Sequence, residues 1–71
     1  MKYNKTSEPV LSFKEYKILF EWIDTLELSE LNKSICRAEL KHAYVNQSED
    51  WLKTCLRGID ILLQNPELNG F

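Results

Sequence analysis

The chain contains 71 residues with a mass of 8.4 kDa and a net charge of −2. A chain this short buries only about 60% of the surface that its unfolded form exposes, so a partner or a second copy is a common source of extra stability. Two cysteines and one histidine are too few for a disulfide framework or a structural zinc site, and we predict no metal and no cofactor.

The longest apolar run, Ile61-Leu62-Leu63, is far too short to span a bilayer, so we predict no membrane association. The N-terminal residues do not resemble a signal peptide, and we expect a cytoplasmic protein with reduced thiols. A hydrophobic content of 44%, with only two glycines and two prolines, favours a helical globular domain over disorder or a β architecture. The Met start and the small size are those expected of a complete small open reading frame.

Residues 1–10 lack helical periodicity and are predicted to form a flexible lead before a single helical domain over 11–71. Ser12 followed by Glu15 is a capping box, and Leu11 with Tyr16 occupies the two positions of a hydrophobic staple. These signals predict a first helix over 13–26. Its main apolar stripe comprises Phe13, Tyr16, Leu19, Phe20, Ile23 and Leu26.

Ile18 and Trp22 lie outside that stripe, four residues apart, and so form one patch on the helix surface. Each helix of a three-helix bundle has two neighbours, and Trp22 can partly cover the seam between two helices. That account fails for Ile18, which points nearly opposite Tyr16. Tryptophan is among the residues most enriched in binding hot spots, so we predict that the Ile18–Trp22 patch belongs to a protein interface.

A second helix is predicted over 30–45, with Ser29 as its N-cap. It carries two apolar faces separated by a basic stripe of Lys33, Arg37 and Lys41. We assign one face to the core, and it comprises Leu31, Ile35, Ala38, His42 and Val45. The other face, with Cys36, Leu40 and Ala43, is assigned to the outer surface as a second contact patch.

A third helix is predicted over 49–64, capped by Ser48 and ended by Asn65-Pro66. Its apolar set comprises Leu52, Cys55, Leu56, Ile59, Leu62 and Leu63. The spacing of the three helices and their short connections predict an all-α fold, a small up-down-up three-helix bundle.

Two functional interpretations of the side chains are a catalytic thiol–imidazole pair and a basic surface that binds an anionic partner. A thiol–imidazole pair would require Cys55 to face His42 across two helices, but a free cysteine is more often a small buried apolar residue, and we predict no enzyme activity. The basic stripe of the second helix, with Lys53 and Arg57 on the third, is the only sign of an anionic partner. The plainer interpretation, which we favour, is that these cations pair with the acidic edge of the first helix or face water.

We therefore predict a non-enzymatic protein-binding module that forms a homodimer or docks on a larger protein. The predicted contact residues are Ile18, Trp22, Cys36 and Leu40, with Lys33, Arg37 and Lys41 at the rim. The size class is typical of small regulators, of antitoxin or immunity-type proteins and of phage-encoded inhibitors. The alternative is a small nucleic-acid-binding transcriptional regulator that uses the basic stripe of helices two and three. In that case Glu49 and Asp50 would lie at the start of the recognition helix and would repel the phosphates, which disfavours this alternative.

Overall fold

The computed structural model describes residues 9–69 and has an all-α fold of three helices. Helix α1 spans Phe13–Asp24, α2 spans Glu30–Asn46 and α3 spans Glu49–Gln64, and a short 3-10 turn follows at Pro66–Asn69. The predicted fold class is thus confirmed. Most of the predicted flexible lead, residues 1–8, lies outside the described residues, as do the last two positions of the chain.

The three predicted serine caps are all present. The Ser12 hydroxyl accepts a hydrogen bond from the Glu15 amide at 3.1 Å, and the Glu15 carboxylate accepts one from the Ser12 amide at 3.0 Å, which completes the capping box. These hydrogen bonds from Ser12 lower the pKa of Glu15. Ser29 and Ser48 cap α2 and α3 in the same way, through the amides three residues downstream. Local signals therefore set where each helix begins.

Helix α1 ends two residues earlier than predicted, because Thr25 closes it. The Thr25 hydroxyl donates to the Trp22 carbonyl at 2.6 Å, and such a side-chain bond competes with continuation of the helix. Helix α2 extends one residue beyond the prediction, to Asn46, and its C-cap Gln47 adopts a left-handed conformation with φ of 48°. The Gln47 side-chain amide accepts a hydrogen bond from the Leu11 backbone amide at 3.2 Å and donates one to the Leu11 carbonyl at 2.8 Å, so it links the segment before α1 to the end of α2.

Helix α2 packs against both α1 and α3, whereas α1 and α3 approach each other less closely. Tyr16 of α1 stacks on Tyr44 of α2 with ring centroids 4.5 Å apart. Helix α3 packs on α2 through Cys55, whose thiol donates to the Cys36 carbonyl at 3.5 Å. The buried apolar core comprises Leu11, Ile23, Leu28, Cys36, Leu40, Cys55 and Ile59.

The C-terminal turn is held to the bundle by one buried amide. The Asn69 side chain accepts hydrogen bonds from the Ser29 amide at 3.1 Å and from the Asn32 amide group at 2.7 Å, and it donates to the Leu62 carbonyl at 3.2 Å. Because Asn69 is buried, these bonds replace water that it would otherwise bind. The turn thereby ties the start of α2 to the end of α3.

Candidate interaction surface

Helix α2 presents to solvent the face that the sequence analysis assigned to the core. Leu40 and Cys36, predicted to lie on the outer surface, are buried at 0% and 2% exposure. That prediction was wrong, because neither side chain is accessible to a partner. Arg37 and Lys33 lie beside Leu40 on the helix, and both bond to Asp24 at the end of α1, which is consistent with the Leu40 face meeting α1.

The exposed face of α2 forms a narrow apolar stripe. Leu31, Ile35 and Val45 are 70%, 48% and 66% exposed, and Ala38 and His42 lie exposed between them. These positions repeat at intervals of four, three, four and three residues. Such spacing is that of a coiled-coil seam, in which a second helix covers the stripe. We name this set, Leu31, Ile35, Ala38, His42 and Val45, the α2 stripe.

The α2 stripe continues onto the beginning of α3. The His42 ring lies against the Trp51 ring, with centroids 4.2 Å apart and planes tilted by 55°. Trp51 is itself partly exposed, so the two rings form an open ledge at the C-terminal part of the stripe. Beside it, a shallow concavity of about 260 Å³ is lined by residues that include Ala38, Lys41 and Val45. The surface thus combines apolar side chains, aromatic rings and a recess.

Ile18 and Trp22 also lie exposed, on a separate helix. Tyr16 faces α2, and Ile18 follows it by two residues, which is about 200° around the helix. The Ile18–Trp22 patch therefore lies on the side of α1 that faces away from α2. It has two members, whereas the α2 stripe runs for most of the length of its helix, and the larger continuous surface is the stronger candidate for an interface.

Three of the five basic residues of α2 and α3 have acidic or carbonyl partners within the chain. Arg37 donates to the Asp24 carboxylate and lies 5.7 Å from the centre of the Phe20 ring. Lys33 donates to the Asp24 carbonyl at 3.0 Å and lies 3.7 Å from the Glu30 carboxylate. On α3, Lys53 lies 3.9 Å from the Glu49 carboxylate. Lys41 and Arg57 are exposed. The five cations therefore do not form one continuous basic surface.

The thiols and the histidine do not come together. Cys55 is fully buried and directs its thiol to the Cys36 carbonyl, while His42 lies on the exposed face of α2 beside Trp51. Burial raises the pKa of the Cys55 thiol to about 12 and also raises that of Cys36. A nucleophilic cysteine requires the opposite shift, because the thiolate is the reactive form.

Over residues 9–69, no three metal-ligating side chains cluster, and no helix has the length and apolarity needed to cross a bilayer. The chain matches no protein-family model, no curated protein and no solved structure in these comparisons.

Proposed function

We propose that this chain is a small non-enzymatic protein-binding module, of the regulator or inhibitor type, whose binding face is the α2 stripe. The observation that carries the proposal is the exposure of Leu31, Ile35 and Val45 at coiled-coil spacing on one side of a helix. Scattered apolar residues on a surface need no explanation, but an aligned set along a whole helix is typical of a contact site.

The energetics of this face support a contact. Complete burial of one large aliphatic side chain contributes roughly 1.5–3 kcal/mol, and three of them are about half to two-thirds exposed here. Covering them would contribute roughly 3–6 kcal/mol. A domain of this size has a total stability of only about 4–10 kcal/mol. Because the two quantities are comparable, occupation of the α2 stripe would change the stability of the protein appreciably.

A pair of isoleucines offers a matched test of this binding face. Ile35 on the α2 stripe and Ile61 on α3 are both 48% exposed, and both lie inside helices. Tagged wild-type protein and the variants Ile35→Glu and Ile61→Glu would be expressed in the native host, cross-linked and captured, with bound proteins quantified by mass spectrometry. We expect at least one protein, including another copy of the chain, to be lost with Ile35→Glu and retained with Ile61→Glu.

Equal capture by all three proteins would contradict the proposal, provided that circular dichroism shows both variants to be folded. The nucleic-acid alternative has its own outcome, a retarded duplex at low salt whose retention falls steeply as salt is added. No observation favours that alternative, since Arg37, Lys33 and Lys53 already have acidic or carbonyl partners within the chain.

A further inference from the structure

We infer that the partner covering the α2 stripe is the α2 stripe of a second copy, in an antiparallel two-fold dimer. This inference rests on the proposed function and specifies its partner. Apolar residues that alternate strictly at intervals of four and three form a narrow seam, which a single helix with the same spacing can cover. Within the described residues, α2 itself presents such an exposed seam, and a two-fold axis brings one patch against its own copy.

The side chains of the α2 stripe favour antiparallel pairing. When the axis passes midway between Ile35 and Ala38, each Ile35 of one copy meets the small Ala38 of the other, so large and small residues alternate. The same register sets Leu31, the most exposed member, against the ledge of His42 and Trp51. Antiparallel helices also place opposite ends of their dipoles side by side.

The charges beside the seam are compatible with this register. Glu39 lies along one edge of the α2 stripe and Lys41 along the other. In the antiparallel pair, Glu39 meets the neutral Asn32 of the second copy, and Lys41 meets the neutral Ser34. The two copies of Lys41 are about nine residues, or roughly 13 Å, apart along the axis. That distance exceeds the Debye length at physiological salt, so repulsion between the two Lys41 side chains is screened. The two copies of Glu39 are about five residues, or roughly 7.5 Å, apart along the axis, so they repel each other weakly.

The apolar area available on the α2 stripe and Trp51 limits the size of the dimer interface. Leu31, Ile35, Val45 and Trp51 are 70%, 48%, 66% and 42% exposed, which amounts to roughly 300 Å² of apolar side chain per copy. Homodimer interfaces are about two-thirds apolar, so the complete contact would bury roughly 900 Å². Stable complexes bury about 1,200–2,000 Å². The contact is smaller than this range, so we expect a weak and reversible dimer that forms at roughly 10–500 µM protein.

Sedimentation equilibrium of the full chain tests the second copy as partner. The weight-average mass of the wild type should rise from 8.4 kDa toward twice that value as concentration increases from about 5 µM to about 500 µM. Ile35→Glu should raise the dissociation constant at least tenfold, whereas Ile61→Glu should leave it within about twofold. A wild type that stays monomeric throughout, or two variants that weaken association equally, would overturn the inference.

Cysteine cross-linking tests the orientation without altering the α2 stripe. A mixture of Ser34→Cys and Lys41→Cys chains should form a disulfide between chains under mild oxidation, because those edge positions meet only in the antiparallel pair. A mixture of Ser34→Cys and Glu39→Cys chains should not, because those positions meet only in a parallel pair. The reverse pattern would overturn the antiparallel dimer. Cys36 and Cys55 are buried and common to both mixtures.

The dimer and the proposed function can be overturned separately. A monomeric wild type together with a captured protein lost only with Ile35→Glu would overturn the dimer and leave the proposed function standing. A monomeric wild type with no such protein would overturn both.

Discussion

The orientation of α2 can be tested with two leucines of the same helix. Leu40 is 0% exposed and Leu31 is 70% exposed, so truncation of each to alanine should have very different effects. Leu40→Ala removes a fully buried side chain and leaves a cavity, which costs about 3–5 kcal/mol. Leu31→Ala removes a side chain that mostly contacts water and should cost less than about 0.5 kcal/mol. The sequence pattern alone predicts the opposite order.

Thermal unfolding followed by circular dichroism measures this difference at about 5 µM protein, a concentration at which we expect the monomer to predominate. For a domain of this size each kcal/mol shifts the Tm by about 4–8 °C, so the two variants should differ by at least about 10 °C. If Leu40→Ala does not fold, Leu40→Met and Leu31→Met provide a milder pair with the same expected order. A larger loss for Leu31→Ala than for Leu40→Ala would show that α2 packs through its other face and would refute the reasoning.

Two further substitutions test the C-terminal turn and the buried thiol. Asn69→Ala removes three hydrogen bonds of a buried side-chain amide and should lower the free energy of unfolding, measured by urea titration, by about 2–3 kcal/mol. The control Asn65→Ala removes one hydrogen bond to a carbonyl and should lower it by about 1 kcal/mol or less. Equal losses would contradict the role of Asn69. Because burial raises the pKa of Cys55 from 9.0 to about 12, its folded form stays protonated where the unfolded form ionises. The difference in unfolding free energy between the wild type and Cys55→Ala should thus be constant below pH 9 and should fall by about 1.4 kcal/mol per pH unit above it. A difference that stays constant up to pH 11 would show that the thiol is open to water.

The parts of the fold that depend on neighbours in the chain were predictable. Ser12, Ser29 and Ser48 bind amides three residues away, so the start of each helix follows from a few adjacent side chains. The end of α1 was less predictable, because the Thr25 hydroxyl can either face solvent or bond the preceding turn. The hydrogen bond between the Gln47 side chain and Leu11 links positions 36 residues apart, and no local sequence signal specifies it.

None of the predicted contact residues belongs to the α2 stripe, and the exposed apolar ones lie on α1. Ile18 and Trp22 are exposed, as expected of residues outside the main stripe of α1. The larger surface was missed because α2 has two apolar faces of similar hydrophobicity. Periodicity finds both faces but contains no information about which one meets α1. The face that was assigned to the core is the one that the structure exposes as the α2 stripe.

The basic residues of α2 contain the information needed to choose the correct face. If Arg37 and Lys33 pair with the acidic end of α1, as the plainer interpretation of the basic stripe requires, their side of α2 must face α1. Leu40 follows Arg37 by three residues and therefore lies on that same side of the helix. The long stems of Arg37 and Lys33 can border the core while their charged ends reach Asp24 at its edge. Charge placement thus selects between two apolar faces that hydrophobicity cannot separate, and the face it leaves outside is the one available for a partner.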